Sequence, residues 1–233
     1  MALVIIIFLA IFTQTLAGFG LALVSMPLLI LIMDIQTATP LVALVAVTAE
    51  IVLLFRYRQH IGFRTVWRLS AASLIGIPLG VIGLSKIDST IILTGLGVVI
   101  TGYALYALFN LRLPKVEHPR WAFGFGFVAG LLSGAYNTSG PPVVIYGNCR
   151  RWQPQEFKAN LQGFFLLNSF MVITSHTLTG HFTAEVVHYY FMALPAVIAA
   201  LVTGLYLDRF INPQWFRKLI LVLLVFLGLR LIL

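Results

Sequence analysis

Charge is what this sequence has least of. Only 9% of its 233 residues are Asp, Glu, Lys or Arg, against about a quarter in a soluble domain, while 60% are hydrophobic. A chain with so little polar surface cannot cover itself in water, so lipid must be most of its solvent. Acids are scarcer than bases, 7 against 15. Cysteine is nearly absent: Cys149 stands alone, which excludes an internal disulfide and offers no metal cluster. No glycine-rich nucleotide loop occurs, so ATP-driven transport by this chain alone has no support. Neither a metal nor a cofactor is expected. A net charge of +8 would suggest nucleic acid in a soluble protein. Here the basic residues sit in short loops between apolar runs and act as topology signals, so no nucleic-acid partner is expected.

What the chain does have is long uncharged runs. A spanning helix needs about 20 apolar residues. Ala2–Met33 is too long for one span and too long for the apolar core of a signal peptide, and it lacks a basic leader. It is expected to be mature membrane structure, broken at Ala17-Gly18-Phe19-Gly20. Pro40–Phe55, Leu69–Ser85 and Ser89–Leu111 follow. After a polar connector, Trp121–Cys149 is again too long, and is broken at Tyr136-Asn137-Thr138-Ser139-Gly140-Pro141-Pro142. Ala159–Leu178, Val186–Leu207 and Leu219–Leu233 complete the set.

Each half thus has one plan, a broken segment and then three helices. Short matches run in the same order through both halves. Gly80, Ile87 and Asp88 are spaced like Gly204, Ile211 and Asn212, and Ser25-Met26-Pro27 resembles Gly140-Pro141-Pro142. Charge supplies the handedness. If each broken segment is a hairpin, the loops at 56–68, 112–120, 149–158 and 208–218 share one side. They then hold Arg56, Arg58, Arg64, Arg68, Arg112, Lys115, Arg120, Arg150, Arg151, Lys158, Arg209, Arg217 and Lys218. Asp34, Lys86, Asp88, His181 and Glu185 fall on the other. That bias predicts a cytoplasmic basic side and both termini outside the cytoplasm. The expected fold is an all-α polytopic membrane protein forming one transmembrane domain, 1–233. It comprises two inverted repeats (1–111 and 121–233, joined by the connector 112–120), each a broken helical hairpin plus three transmembrane helices.

The two breaks carry the candidate chemistry. Unwound backbone survives in lipid only where protein or a wet cavity satisfies it, and interruptions at matching points of two repeats point to a transporter site near the midplane. Gly18 and Gly20 permit unusual backbone geometry. Asn137, Thr138 and Ser139 offer donors, and any of them could cap the next helix, which Pro141 and Pro142 suit at its start. Two helix N-termini converging there would favour a small anion. The competing account is a pair of kinks that let helices pack closely. Gln14, Gly18, Phe19, Gly20, Asn137, Thr138, Ser139, Gly140 and Asn168 are the candidate substrate-binding residues. Glu50, the only acid deep in an apolar run, is the candidate proton-coupling group, with pairing to Arg56 as its structural alternative. Asn168 is its expected counterpart in the second half, and Asn160 and Gln162 lie nearer the cytoplasmic end. His176, His181 and His188 are expected at the outer interface, and Trp67, Trp121, Trp152 and Trp215 in an interfacial belt.

At these residues the chain resembles the sulfite exporter TauE/SafE family of membrane permeases over essentially its whole length. The resemblance rests on Ala17-Gly18-Phe19-Gly20 through Pro27, on Ala38-Thr39 leading into the helix with Glu50, and on the Tyr57…Gly62-Phe63 turn. Gly80…Ile87 and Gly134…Gly140-Pro141-Pro142 complete it. It implies a permease for small sulfur-containing or organic anions such as sulfite, sulfonates or sulfoacetate, in a bacterial-type plasma membrane. The expected partners are a small anionic substrate and the bilayer; homo-oligomerisation stays open. Two alternatives remain: an intramembrane hydrolase using Ser139 with His176 or His188, and a passive anion channel.

Overall fold

The computed structural model describes residues 1–109, 113–208, 210 and 213–233. The expectations that fall on Leu111, Arg112, Arg209, Ile211 and Asn212, and on the side chain of Arg217, lie outside the described residues. Among the described residues, regular structure is entirely helical. The order is α1 (Ala2–Ala17), α2 (Leu21–Leu29), α3 (Ile35–Tyr57), α4 (Phe63–Lys86), α5 (Ser89–Leu108), α6 (Trp121–Tyr136), α7 (Gly140–Cys149), α8 (Pro154–Leu178), α9 (Ala184–Leu207) and α10 (Pro213–Ile232), with a short 3-10 turn at Arg58–His60. The second five match the first five in length: 16 and 16 residues, 9 and 10, 23 and 25, 24 and 24, 20 and 20.

Helix starts follow from local chemistry. Asp88 accepts from the Thr90 N–H at 2.8 Å at the head of α5. Thr183 accepts from Val186 at 3.3 Å at the head of α9, where Glu185 stands in the first turn. Both carboxylate and hydroxyl oxygens satisfy donors that no earlier turn can reach. Among the described residues, four helical stretches are long and apolar enough to cross a membrane: Ile35–His60, Phe63–Lys86, Ser89–Leu108 and Ala184–Leu207. At 25 residues α8 is about 37 Å long, but more polar. Its Asn160, Gln162, Asn168, Ser169 and His176 are all buried. These polar residues face neighbouring helices, while Leu167, Phe170 and Leu178 of the same helix are exposed.

The packing pairs helices across the two halves. α3 lies beside α8, with Glu50 against Ser169 and Gly62 against Asn160, so the two run antiparallel. α5 and α10 meet where Gly97 faces Gly228 and Ile232. α1 packs on α9, and α4 on α6. The last contact is the tightest. Gly126, Gly130 and Gly134 of α6 sit on Leu69, Ser73 and Ile77 of α4, while Gly76 and Gly80 of α4 face Gly130, Leu131 and Ala135 in return. A Cβ at Gly134 would run into the Ile77 carbonyl, and one at Gly130 would stand 2.7 Å from Ser73 Cα. Between lipid-embedded helices there is little hydrophobic drive to associate, so close backbone approach through small residues supplies the attraction.

The loops sort to two ends. At one, the Gly62 N–H donates to Asn160 Oδ1 at 2.6 Å, and Arg150 donates to the Val116 and Glu117 carbonyls at 3.1 and 2.6 Å. Lys158 reaches Tyr57 and Asp208 there too. At the other end Ser85 meets His181 at 3.3 Å, and Asp34 shares a hollow with Ser89. One interfacial expectation fails. His176 is fully buried rather than interfacial, its Nδ1 2.9 Å from His181 Nδ1. Of the four tryptophans, Trp67, Trp121 and Trp215 are exposed, and Trp152 is partly buried between Tyr146 and Phe157 and close to Gly147.

The glycine contact yields a stability test. Gly134→Val should destabilise the protein by about 1–3 kcal/mol through overpacking. Gly124→Val on the same helix, where an added Cβ meets nothing within 4 Å, should leave thermal unfolding in detergent nearly unchanged.

Candidate functional site

The two breaks share one backbone design. α1 ends at Gly18 with φ 81°, its N–H donating to the Gln14 carbonyl at 2.8 Å. α6 ends at Asn137 with φ 51°, its N–H donating to the Ser133 carbonyl at 2.7 Å. This left-handed ending suits Gly and is tolerated by Asn. Two residues later Gly20 and Ser139 stand immediately before the first residues of α2 and α7. No side-chain cap forms at the head of α7, for which Asn137, Thr138 and Ser139 are the candidates, and the Thr138 hydroxyl turns back to the Tyr136 carbonyl at 2.9 Å. α1 packs on α2, and α6 on α7.

A cavity of about 30 Å³ lies between the breaks, room for about two waters. Its walls come in matched pairs: Gln14 with Ser133, Gly20 with Ser139, Leu21 with Gly140, Ala46 with Phe165, and Glu50 with Ser169. Every pair is separated by the same 119 positions (133 less 14, 169 less 50). Asn137 and Thr138 complete the second half's share, and Ala22 and Leu23 the first's.

The halves supply different donors. In α2 the first intrahelical bond is from the Val24 N–H to the Gly20 carbonyl at 3.0 Å. The N–H groups of Gly20, Leu21, Ala22 and Leu23 therefore precede any partner within the helix, and all four residues line the cavity. In α7 Pro141 and Pro142 remove two such donors, leaving those of Ser139 and Gly140; Asn137, Thr138 and Ser139 bring side-chain polarity instead.

Glu50 is buried and engages the Ser169 side chain, not Arg56; its Oε2 has no hydrogen-bond partner among the described residues. Gln162 holds the first break together. Its Nε2 donates to the Gly18 carbonyl at 2.7 Å, and its Oε1 faces Gln14 Nε2 at 3.4 Å.

Of the residues singled out from sequence, Gln14, Gly20, Glu50, Asn137, Thr138, Ser139 and Gly140 come together at this cavity. Gly18 contributes its carbonyl to Gln162. Phe19 points elsewhere: it meets Tyr103 edge-on at 6.0 Å and lines a separate small cavity with Ile220, Leu221 and Leu224. Asn168 is buried but does not line the cavity; the counterpart of Glu50 is Ser169, one position on. Ser133, Phe165 and Ser169 were missed. Neither His176, bonded to His181, nor His188, exposed on α9, joins Ser139 at the cavity.

Comparison with known proteins agrees with the resemblance read from the sequence. The family described as Sulfite exporter TauE/SafE matches residues 3–231. The chain is 29% identical over 230 residues to the "Probable sulfite/organosulfonate exporter TauE" of Cupriavidus necator, a match covering 94% of this chain and 88% of that protein. No solved structure matches it.

The backbone at the breaks predicts an asymmetry. Gly18→Ala forces a side chain into the left-handed region and against Lys158 Cγ, 3.1 Å from the added Cβ, and should cost about 1–2 kcal/mol. Asn137→Gly, at the equivalent point, should leave thermal stability in detergent within about 0.5 kcal/mol.

Proposed function

The chain belongs to the sulfite exporter TauE/SafE family, and from that premise we propose that it carries small sulfur oxyanions, sulfite and short organosulfonates, through the cavity between its two breaks. Members of this family are exporters, so the chain is a membrane anion transporter and not an enzyme. The hydrolase alternative falls with that. Sulfur specificity comes from the name of the Cupriavidus relative.

The observation that carries the reading is the donor set. Gly20, Leu21, Ala22 and Leu23, whose N–H groups have no partner within α2, line one cavity together with Asn137, Thr138 and Ser139 at the head of α7. An oxyanion needs many donors and no fixed countercharge, and the N-terminal end of a helix adds partial positive charge. Glu50 in the same wall would repel an anion while ionised. The site therefore binds substrate with a proton on Glu50, which couples anion and proton movement. The matched wall residues, and the antiparallel pairing of α3 with α8, support two inverted repeats that exchange inward- and outward-facing shapes around the cavity. The basic end of the bundle is cytoplasmic by the positive-inside rule, both termini lie on the opposite side, and the membrane is the bacterial plasma membrane.

Proteoliposomes loaded with ³⁵S-sulfite or a labelled short sulfonate test this. Wild type should show saturable flux accelerated by an imposed pH gradient. Asn137→Ala and Ser139→Ala should each lose about tenfold or more in kcat/KM, as expected for removal of a donor to a charged ligand. Glu50→Gln should keep anion binding but lose the response to the gradient. Undiminished flux in both donor variants sinks the site, and an unchanged gradient response in Glu50→Gln sinks the coupling.

A further inference from the structure

The cavity residues of α8 continue beyond the cavity. Lys158, Gln162, Phe165 and Ser169 are spaced four, three and four apart, so they form one stripe along a helix face. Phe165 and Ser169 line the cavity, and Gln162 ties Gly18 to Gln14 at its edge. Lys158 is the next step toward the basic end. Its stem lies across the first break, where a Cβ on Gly18 would stand 3.1 Å from Lys158 Cγ. Its ammonium is 3.4 Å from Asp208 Oδ1 at the end of α9 and 3.4 Å from the Tyr57 hydroxyl at the end of α3. It also stands 5.4 Å from the centre of the Tyr57 ring. Three helix ends thus meet on one cation above the break.

Two features make this cation more than a structural tie. The ion pair is long and both partners are partly solvated, with side chains 23% and 33% exposed, and such pairs are weak and exchangeable. The cation is also one-sided. The interval that relates the two cavity walls places Thr39, Ala43, Ala46 and Glu50 where α8 has Lys158, Gln162, Phe165 and Ser169. The corresponding stripe on α3 has no cation.

We propose that Lys158 captures the anion between the basic end of the bundle and the cavity, the anion replacing Asp208 as partner of the ammonium. Moving the ammonium lifts its stem from Gly18 and frees the Gln162 bridge, so capture and opening of the cavity are one event. The one-sided placement makes the basic end the loading side, as an exporter with that end in the cytoplasm requires. This rests on the transport reading above.

The test is the concentration dependence of ³⁵S-sulfite flux, with substrate presented at the basic end, for wild type, Lys158→Gln, Lys158→Arg, Asp208→Asn and the double variant Lys158→Gln/Asp208→Asn. Lys158→Gln should raise KM about tenfold or more with kcat within about threefold. Lys158→Arg should stay within about threefold of wild type, since the charge remains. Asp208→Asn should leave KM unchanged or lower, and the double variant should keep the high KM of Lys158→Gln. A purely structural ion pair predicts the opposite: both single variants impaired alike and the double variant restored. That result, or an unchanged KM in Lys158→Gln, overturns the proposal. If Lys158→Gln melts early in detergent, Asp208→Asn decides, and a raised KM there overturns it. A wild type that carries no sulfur anion defeats the substrate reading itself and is thereby distinguished.

Discussion

The hydrogen bond from Gln162 Nε2 to the Gly18 carbonyl, at 2.7 Å, is the contact on which the site depends. A helix that stops inside a bilayer strands carbonyls that water would otherwise satisfy, and hydrocarbon offers them nothing. The chain answers by placing a polar helix, α8, at the centre of the bundle, where α3, α4 and α6 cover it. The same requirement explains why α8 buries Asn160, Gln162, Asn168 and Ser169 while Leu167, Phe170 and Leu178 of the same helix stay exposed. A helix that must solvate another helix's broken end cannot be greasy on the side that faces it.

Around that centre the two halves match in geometry and differ in chemistry. Both breaks use a left-handed ending and a three-residue link, and five residues of each cavity wall correspond at one constant interval. But the first half presents backbone N–H groups, the Glu50 carboxyl group and the Gln14 amide, and the second presents hydroxyls and the Asn137 amide. The α4–α6 contact is a glycine-on-backbone weld, whereas its counterpart, α1 on α9, rests Thr15 against Gly204.

Much of this was legible in the sequence because the decisive residues are chemically conspicuous. Gly18, Gly20 and the Asn137–Pro142 run interrupt apolar sequence in a way that ordinary helices avoid, and Glu50 is conspicuous as an acid deep in an apolar run. The basic loops marked one end of the bundle, and the structure brings them together. What stayed hidden was register and direction. Pairing Glu50 with Asn168 rather than Ser169 is an error of one residue, which on a helix is a rotation of about 100° and moves the side chain out of the cavity. Ser133 and Ser169 gave no signal, since a serine in an apolar helix commonly returns its hydroxyl to the preceding turn, as Ser25 and Ser73 do at 2.8 and 2.9 Å. Phe19 sat in the right motif but faces Tyr103, because the residue between two left-handed glycines points away from the cavity both glycines flank. Burial of His176 depended on its place in the packed bundle, which composition does not reveal.

The central claim is that one anion sits between the two broken helices. Selenite has the shape and charge of sulfite and carries an anomalous scatterer, so a crystal grown with it locates the anion without reference to function. The account predicts a selenium peak in the cavity, bounded by Gly20–Leu23 on one side and Asn137–Gly140 on the other, within reach of Glu50 and Ser169. A selenium peak elsewhere in the bundle, with that cavity empty at saturating selenite, would contradict it.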